Sequence, residues 1–401
     1  MPQTTDKLTQ NQQLLLKLSR FVLAWRLILL IPLIISFFFL NPRPRLEYTQ
    51  LNLYAQKPPT FTNHLHLSLS NFDGIHYLNI ASSGYIDEGR FLPFYSLLIK
   101  LFSFNAPAYS AKQVFTAQAI SLVSLIVFFY YLSKLKLFSN LSDSSDSNNF
   151  SDLVYLLFPT SFFLAATYTE SLFLSLTAAS FFAAQKKQWG RAFLLASLTS
   201  LTRLTGIVVI ASIAYEYLQE KKVELLKIKI FQTFGFFLLV ASLPLSFYSL
   251  FNYFKWNDWL YFIHAHSNLA NGRTTSFLIN PLQTLYRYGK IFLTFNFSQY
   301  EYWIAGLELI SFLFATSMIY WLWKNKLKPS YLVYSILSLL LPVLSGTFSG
   351  LPRYLLTIFP IFLALGHLVT RKKVFQVSYF LISGFFLLVF LILFSRGYYI
   401  S

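Results

Sequence analysis

Eleven apolar runs, broken only by short polar or basic segments, leave this chain few ways to fold outside a bilayer. The first covers Phe21–Leu40 and is preceded by Lys7, Lys17 and Arg20. Ten more lie near 114–132, 153–168, 170–184, 192–202, 204–218, 231–251, 302–323, 330–346, 353–369 and 374–395. Several are shorter than the ~20 residues that cross a bilayer at right angles, and 192–218 reads as two short helices meeting near Arg203. Only 12% of the 401 residues are charged, against about 25% in an ordinary soluble domain. The expected fold is an all-α polytopic membrane protein of about 11 transmembrane helices, forming a single domain over residues 1–401.

The basic residues predict its orientation. Phe21–Leu40 is longer than the ~7–15-residue core of a secretory signal, so it reads as an uncleaved anchor with a cytoplasmic N-terminus. Eleven spans then put Lys134/Lys136, Lys186/Lys187/Arg191, Lys221/Lys222/Lys227/Lys229, Lys324/Lys326/Lys328 and Arg371/Lys372/Lys373 on the inner side, as the positive-inside rule requires. The stretch 91–106 holds Pro93 and Lys100; counted as a span it would turn every later cluster outward, so it is expected along the outer interface. A flexible inner loop is expected at 133–152, where a Ser/Asp/Asn run cannot build a core. Two outer loops remain, 41–113 and 252–301. The net charge of +17 is explained by topology, with no nucleic-acid partner expected. Zero cysteines exclude disulfides, thiolate metal sites and cysteine nucleophiles. There is no internal repeat, Gly-rich phosphate loop, HExxH or CxxC.

On this topology the outward acids are Glu47, Asp73, Asp87, Glu88, Glu170, Asp258 and Glu301, with Glu308 inside a span. The stretch Asn71–Tyr95 concentrates Asp73, His76, Asp87, Glu88 and Arg90 beside the bilayer, where titratable groups commonly serve chemistry. A helix is predicted over 74–83, ended by Gly84, with Asp73, His76 and Tyr77 on one face. Asp73 as a plain N-cap and Asp73 as a catalyst aimed at outer solvent both fit. Arg203 interrupts an apolar region, at a cost of at least ~2.5 kcal/mol. It either pairs structurally with Glu170 or binds an anion such as a lipid phosphate. Arg353, at the outer end of a span, admits the second reading or simple snorkelling. His264 and His266 are spaced two apart near Arg273, a poor pattern for a helical metal site, so no metal ligands are assigned.

The segment FDGIHYLNIASSGYIDEGRFLPFY resembles the D-x-x-H-[FY]-L-x-I-A-x-x-G-Y…E…F-x-P-x-[FY] motif of the PIG-V family. That family comprises the second mannosyltransferase of GPI-anchor synthesis and its prokaryotic relatives, within the GT-C class. A second block, LFPTSFFLAATYTESLFLSLTAASFFAAQKKQWGRAFLLASLTSLTRLTGIVV, is similar to the family's FP…FF…YTE-[SA]-LF…TR-x-x-G region. A third, FSGLPRYLLTIFPIFLAL, resembles its RY-[LV]-x-x-x-FP element. Phe72 stands where the family usually has Trp, and Ser96 where it often has Pro. The short length points to a prokaryotic relative.

The resemblance implies a GT-C-like fold whose catalytic outer loop carries juxtamembrane helices. It also implies a membrane mannosyltransferase that moves a sugar from a polyprenyl (dolichyl)-phosphate donor to a glycolipid or glycan acceptor. Transfer would invert the anomeric centre on the exoplasmic or lumenal face, in the plasma membrane of a prokaryote or the endoplasmic reticulum of a eukaryote. Asp73 would be the general base, and Arg203 and Arg353 would steady the departing phosphate. His76, Glu88, Arg90, Tyr168 and Glu170 would complete the substrate site. No cofactor is required on chemical grounds, and a divalent metal is left open. The rival reading is a transporter or flippase of lipid-linked sugars, which would place ionisable groups near the midplane in two related halves.

Overall fold

The computed structural model describes residues 3–44, 47–135, 145–221, 228–266 and 278–400. Lys222, Lys227 and Arg273 lie outside the described residues, as does 136–144 of the expected inner loop, with Lys136. Among the described residues there are helices and no strands, as backbone buried in hydrocarbon demands, since a helix satisfies its own hydrogen bonds.

Among the described residues five helices are long and apolar enough to cross a membrane: Thr9–Phe39, Ala111–Leu132, Gln232–Trp256, Tyr300–Lys324 and Lys373–Ser395. A bent pair, Leu351–Thr357 with Pro360–Thr370 at 90°, raises the count to six. The expectation of 11 spans therefore exceeds what helix length and composition establish. The apolar runs between 153 and 218 fold instead as short helices joined by tight irregular turns. At 1.5 Å per residue, the 16-residue helix Glu170–Gln185 reaches only about 24 Å.

Glu170–Gln185 is the axis of the molecule. Its sequence ESLFLSLTAASFFAAQ is rich in Ser, Ala and Thr, and all but three of its residues are buried. Small side chains allow close backbone approach where lipid supplies no hydrophobic drive between helices. Ala111–Leu132, Trp189–Ser200 and Gly206–Glu220 pack around it, and Ser180 Oγ donates to Ala192 O at 2.8 Å.

The segment 41–113, expected on the outer side, includes Leu51–Tyr54, Phe61–Leu67, Asp73–Ser83 and Pro93–Phe102. Asp73–Ser83 ends with Gly84 at φ 75, close to the helix predicted, and Phe72, not Asp73, precedes its first residue. It buries Ile75, Leu78, Ile80 and Ala81. Pro93–Phe102 exposes Leu97, Leu101 and Phe102, and its ten residues are too few to cross a bilayer.

Two loop boundaries differ from expectation. Within 133–152 the backbone is already helical from Ser145, in a helix running to Leu156. Ser, Asp and Asn favour helix starts, and the buried Val154 and Leu156 give this helix a face to hide. In 252–301 the preceding helix extends to Trp256, and Tyr261–His264 and Pro281–Thr294 follow. Arg396 packs back on the start of the 41–113 segment: Arg396 Nε donates to Leu40 O at 2.6 Å, and Arg43 N donates to Arg396 O at 2.9 Å.

Candidate active site

Three irregular stretches meet at the N-terminal end of Glu170–Gln185. The first is the corner leading into Asp73–Ser83. The second, 160–169, is completely buried yet not helical beyond Ser161–Leu164. Such backbone is tolerated at depth only where protein satisfies it: Thr167 N donates to Leu69 O at 2.9 Å, and Ser121 Oγ to Ala166 O at 2.9 Å. The third is the turn 201–205 between Trp189–Ser200 and Gly206–Glu220. A Cβ on Gly206 would sit 2.3 Å from Ser200 N, so only glycine lets this turn close and carry Arg203 inward.

Arg353 enters from the bent C-terminal pair. It lies in the short helix Leu351–Tyr354, which follows Gly350 at φ 82. A network below holds that approach: Tyr288 Oη donates to Glu308 Oε2 at 2.5 Å and accepts from Phe348 N at 3.0 Å. Glu308, which no sequence motif recruited, thus ties its helix to the loop before Arg353.

Four sequence-predicted residues form one chain of alternating charge. Asp73 Oδ2 accepts from Arg353 Nη1 at 2.7 Å, Arg353 Nε lies 3.3 Å from Glu170 Oε1, and Arg203 Nη1 donates to that same oxygen at 2.5 Å. Arg203 Nη1 also donates to Thr169 Oγ1 at 3.1 Å. The side chains of Glu170, Arg353 and Arg203 are 0%, 11% and 12% exposed, whereas Asp73 keeps 30%. Asp73 is therefore the member most open to a substrate. Glu170 has no surface to offer one, and its single carboxylate is shared between the two arginines. The pairing of Arg203 with Glu170, one of the two readings of the sequence, is present, and the same carboxylate serves a second guanidinium.

Aromatic rings complete the packing. Arg353 Cζ lies 5.2 Å from the ring centroids of Tyr168 and Tyr354 and 5.6 Å from that of Phe163. Arg203 Cζ is 5.1 Å from the Tyr354 ring. Tyr168 is only 2% exposed, so it supports Arg353 from below. Phe163 and Tyr354 were not singled out by sequence, although both stand inside the quoted motif blocks.

His76, Glu88 and Arg90 form a neighbouring rim. The His76 ring stacks on Phe91 at 4.9 Å, and Arg90 Cζ lies 4.8 Å from the same ring centroid. His76 Nδ1 is 3.9 Å from Glu88 Oε1, beyond hydrogen-bond reach. Glu88 instead accepts from Asn79 Nδ2 at 2.6 Å and from the amides of Ile86 and Asp87 at 3.1 and 3.2 Å. It organises its own loop. In the segment 252–301 His264 Nδ1 lies 2.7 Å from Asp258 Oδ2. Among the described residues no three His, Cys, Asp or Glu side chains gather to hold a metal ion.

Burial alone would lift the Asp73 carboxyl. The charge and hydrogen bond of Arg353 outweigh it, helped by Arg90 and His76, and hold it below the ordinary carboxylate value. Asp73 is thus an ionised acceptor in contact with a cation that can also serve an anionic ligand.

A family model described as Mannosyltransferase (PIG-V) matches residues 16–325. The matched stretch includes Asp73, Glu170 and Arg203 and stops short of Arg353. No curated protein and no solved structure matches the chain.

Proposed function

The chain belongs to the PIG-V mannosyltransferase family, and on that premise we propose that it transfers mannose from a polyprenyl-phosphate donor, with Asp73 as general base. The family makes it a membrane glycosyltransferase; the donor, the outer-face location and the residue roles are our reading. The observation that carries it is the 2.7 Å contact between Asp73 and Arg353, which sets a partly open carboxylate beside a cation suited to phosphate.

In the proposed reaction Asp73 takes the proton of an acceptor hydroxyl as that oxygen attacks the anomeric carbon. The bond from that carbon to the phosphate oxygen breaks, and the lipid monophosphate leaves with the electron pair, so the anomeric centre inverts. Arg353 turns from Asp73 towards the growing phosphate charge, with Arg203 behind it. Losing Arg353 makes Asp73 more basic as it must accept a proton, which couples the two halves of the step. His76 and Arg90 border the acceptor, a glycolipid or glycan. A GT-C arrangement with 11 spans and a cytoplasmic N-terminus, counting the short helices between 153 and 218 as spans in a packed bundle, puts this chemistry on the outer face.

The test is reconstitution in nanodiscs with radiolabelled polyprenyl-phosphate mannose and a membrane glycolipid extract. Label should pass to the glycolipid fraction with inversion, and a nucleotide-linked mannose should not replace the donor. Transfer from the nucleotide sugar alone would reject the proposed donor class.

A further inference from the structure

The residue before the proposed base has a backbone that its side chain does not favour. Phe72 lies at φ 57, ψ −118, values of the first central position of a type II′ turn, where glycine is the usual occupant. Gly74 N closes that turn onto Asn71 O at 3.3 Å. A strained non-glycine corner persists only where its surroundings over-determine it, and here the surroundings converge on Asn71.

Asn71 is 1% exposed and uses its polar atoms on three separate parts of the chain. Its Oδ1 accepts from Leu51 N at 3.0 Å. Its Nδ2 donates to Phe394 O at 3.2 Å and Ser395 O at 3.1 Å, the last carbonyls of Lys373–Ser395. Its main-chain oxygen accepts from Tyr168 Oη at 2.9 Å, and the Tyr168 ring packs under Arg353. Phe72 adds a bond from its N to Thr49 O at 2.8 Å and a ring contact with Phe394 at 5.4 Å. The buried side-chain amide of Asn71 therefore fixes the turn that aims Asp73, and its main-chain oxygen, held in place by that turn, meets Tyr168 beneath the arginine that Asp73 contacts.

We propose that Asn71 is a positioning residue for the Asp73–Arg353 pair, holding the strained Phe72 corner against the end of the last helix. The catalytic meaning of that pair rests on the proposed transfer reaction; the positioning itself does not. Asn71 gives the C-terminal helix, which lies beyond the stretch matched by the family model, a part in the site.

The test uses full-length variants in nanodiscs, with each rate taken per folded molecule. Asn71→Ala should lower turnover about 10- to 100-fold with little change in donor KM, as a displacement near 1 Å does. Asn71→Ala combined with Phe72→Gly should recover much of that rate, because glycine takes a positive φ without strain. Ser36→Ala removes the buried Ser395–Ser36 hydroxyl bond at the same helix end and should leave turnover near wild type. An activity-free arm measures unfolding: Asp73→Asn should lower the midpoint in the wild type and add little in the Asn71→Ala background, where the Arg353 contact is already loosened. Unchanged turnover in Asn71→Ala, a loss that Phe72→Gly does not recover, an equal cost of Asp73→Asn in both backgrounds, or failure of Asn71→Ala to fold would each overturn the inference. Wild-type protein that transfers no mannose would count against the proposed reaction, and the unfolding arm would still decide the role of Asn71.

Discussion

Asp73 and Glu88 are both carboxylates held below their ordinary range, by different means. Asp73 owes its shift, against the lift from burial, chiefly to the Arg353 guanidinium. Glu88 owes its own, against the lift from burial, to the His76 ring 3.9 Å away and to hydrogen bonds from Asn79 and two backbone amides, which hold it at about 2 against an ordinary 4.5. Because the folded state prefers ionised Glu88, its stabilisation is complete above pH 4.5 and is lost as pH falls towards 2. Glu88→Gln should therefore show a smaller fall in unfolding midpoint across that interval than the wild type, measured by scanning calorimetry in detergent. At this scale the sequence was informative about charged groups and silent about their supports. Asp73, Glu170, Arg203 and Arg353 are costly near a bilayer and stand out as letters. Asn71 does not, because a buried amide shows its worth only through the carbonyls it meets at Phe394 and Ser395.

Helices carry the site by where they stop. Glu170 opens its helix, where the positive end of the helix dipole favours a carboxylate. Arg203 sits in a turn that depends on Gly206. Gly206→Ala would drive a methyl into the backbone of Thr199 and Ser200, so it should cost about 1–3 kcal/mol of stability. It should also weaken sugar transfer by displacing Arg203, read as a lower melting midpoint and a raised donor KM. The helix 74–83 was legible from its apolar spacing and terminal glycine, and Arg203 at a junction of two short helices was legible from broken hydropathy. The helix beginning at Ser145 was not, since polar residues that read as a flexible run also start helices well. Nor was the 90° break between Leu351–Thr357 and Pro360–Thr370.

For the whole molecule, all-helical architecture followed directly from hydropathy, whereas the number of crossings did not. Hydropathy counts apolar runs, and a run buried within the bundle looks the same as one facing lipid. The 160–169 segment illustrates this: it is buried throughout and largely irregular, so its apolar character reflects packing inside the bundle. Orientation can be measured without background, since the chain has no cysteine. Single Ser83→Cys and Lys186→Cys variants, both at exposed positions, should react with a membrane-impermeant maleimide in intact cells only at position 83. Labelling at 186 alone would reverse the assigned topology.

The central claim is that Asp73 removes the acceptor proton while Arg353 receives the departing phosphate. The most direct measurement is single-turnover transfer by Asp73→Asn with labelled polyprenyl-phosphate mannose, alongside donor binding by the same protein. The account predicts donor binding close to wild type and transfer slowed about 10²- to 10⁴-fold, the usual range for losing a general base. Transfer at the wild-type rate with donor bound would contradict it.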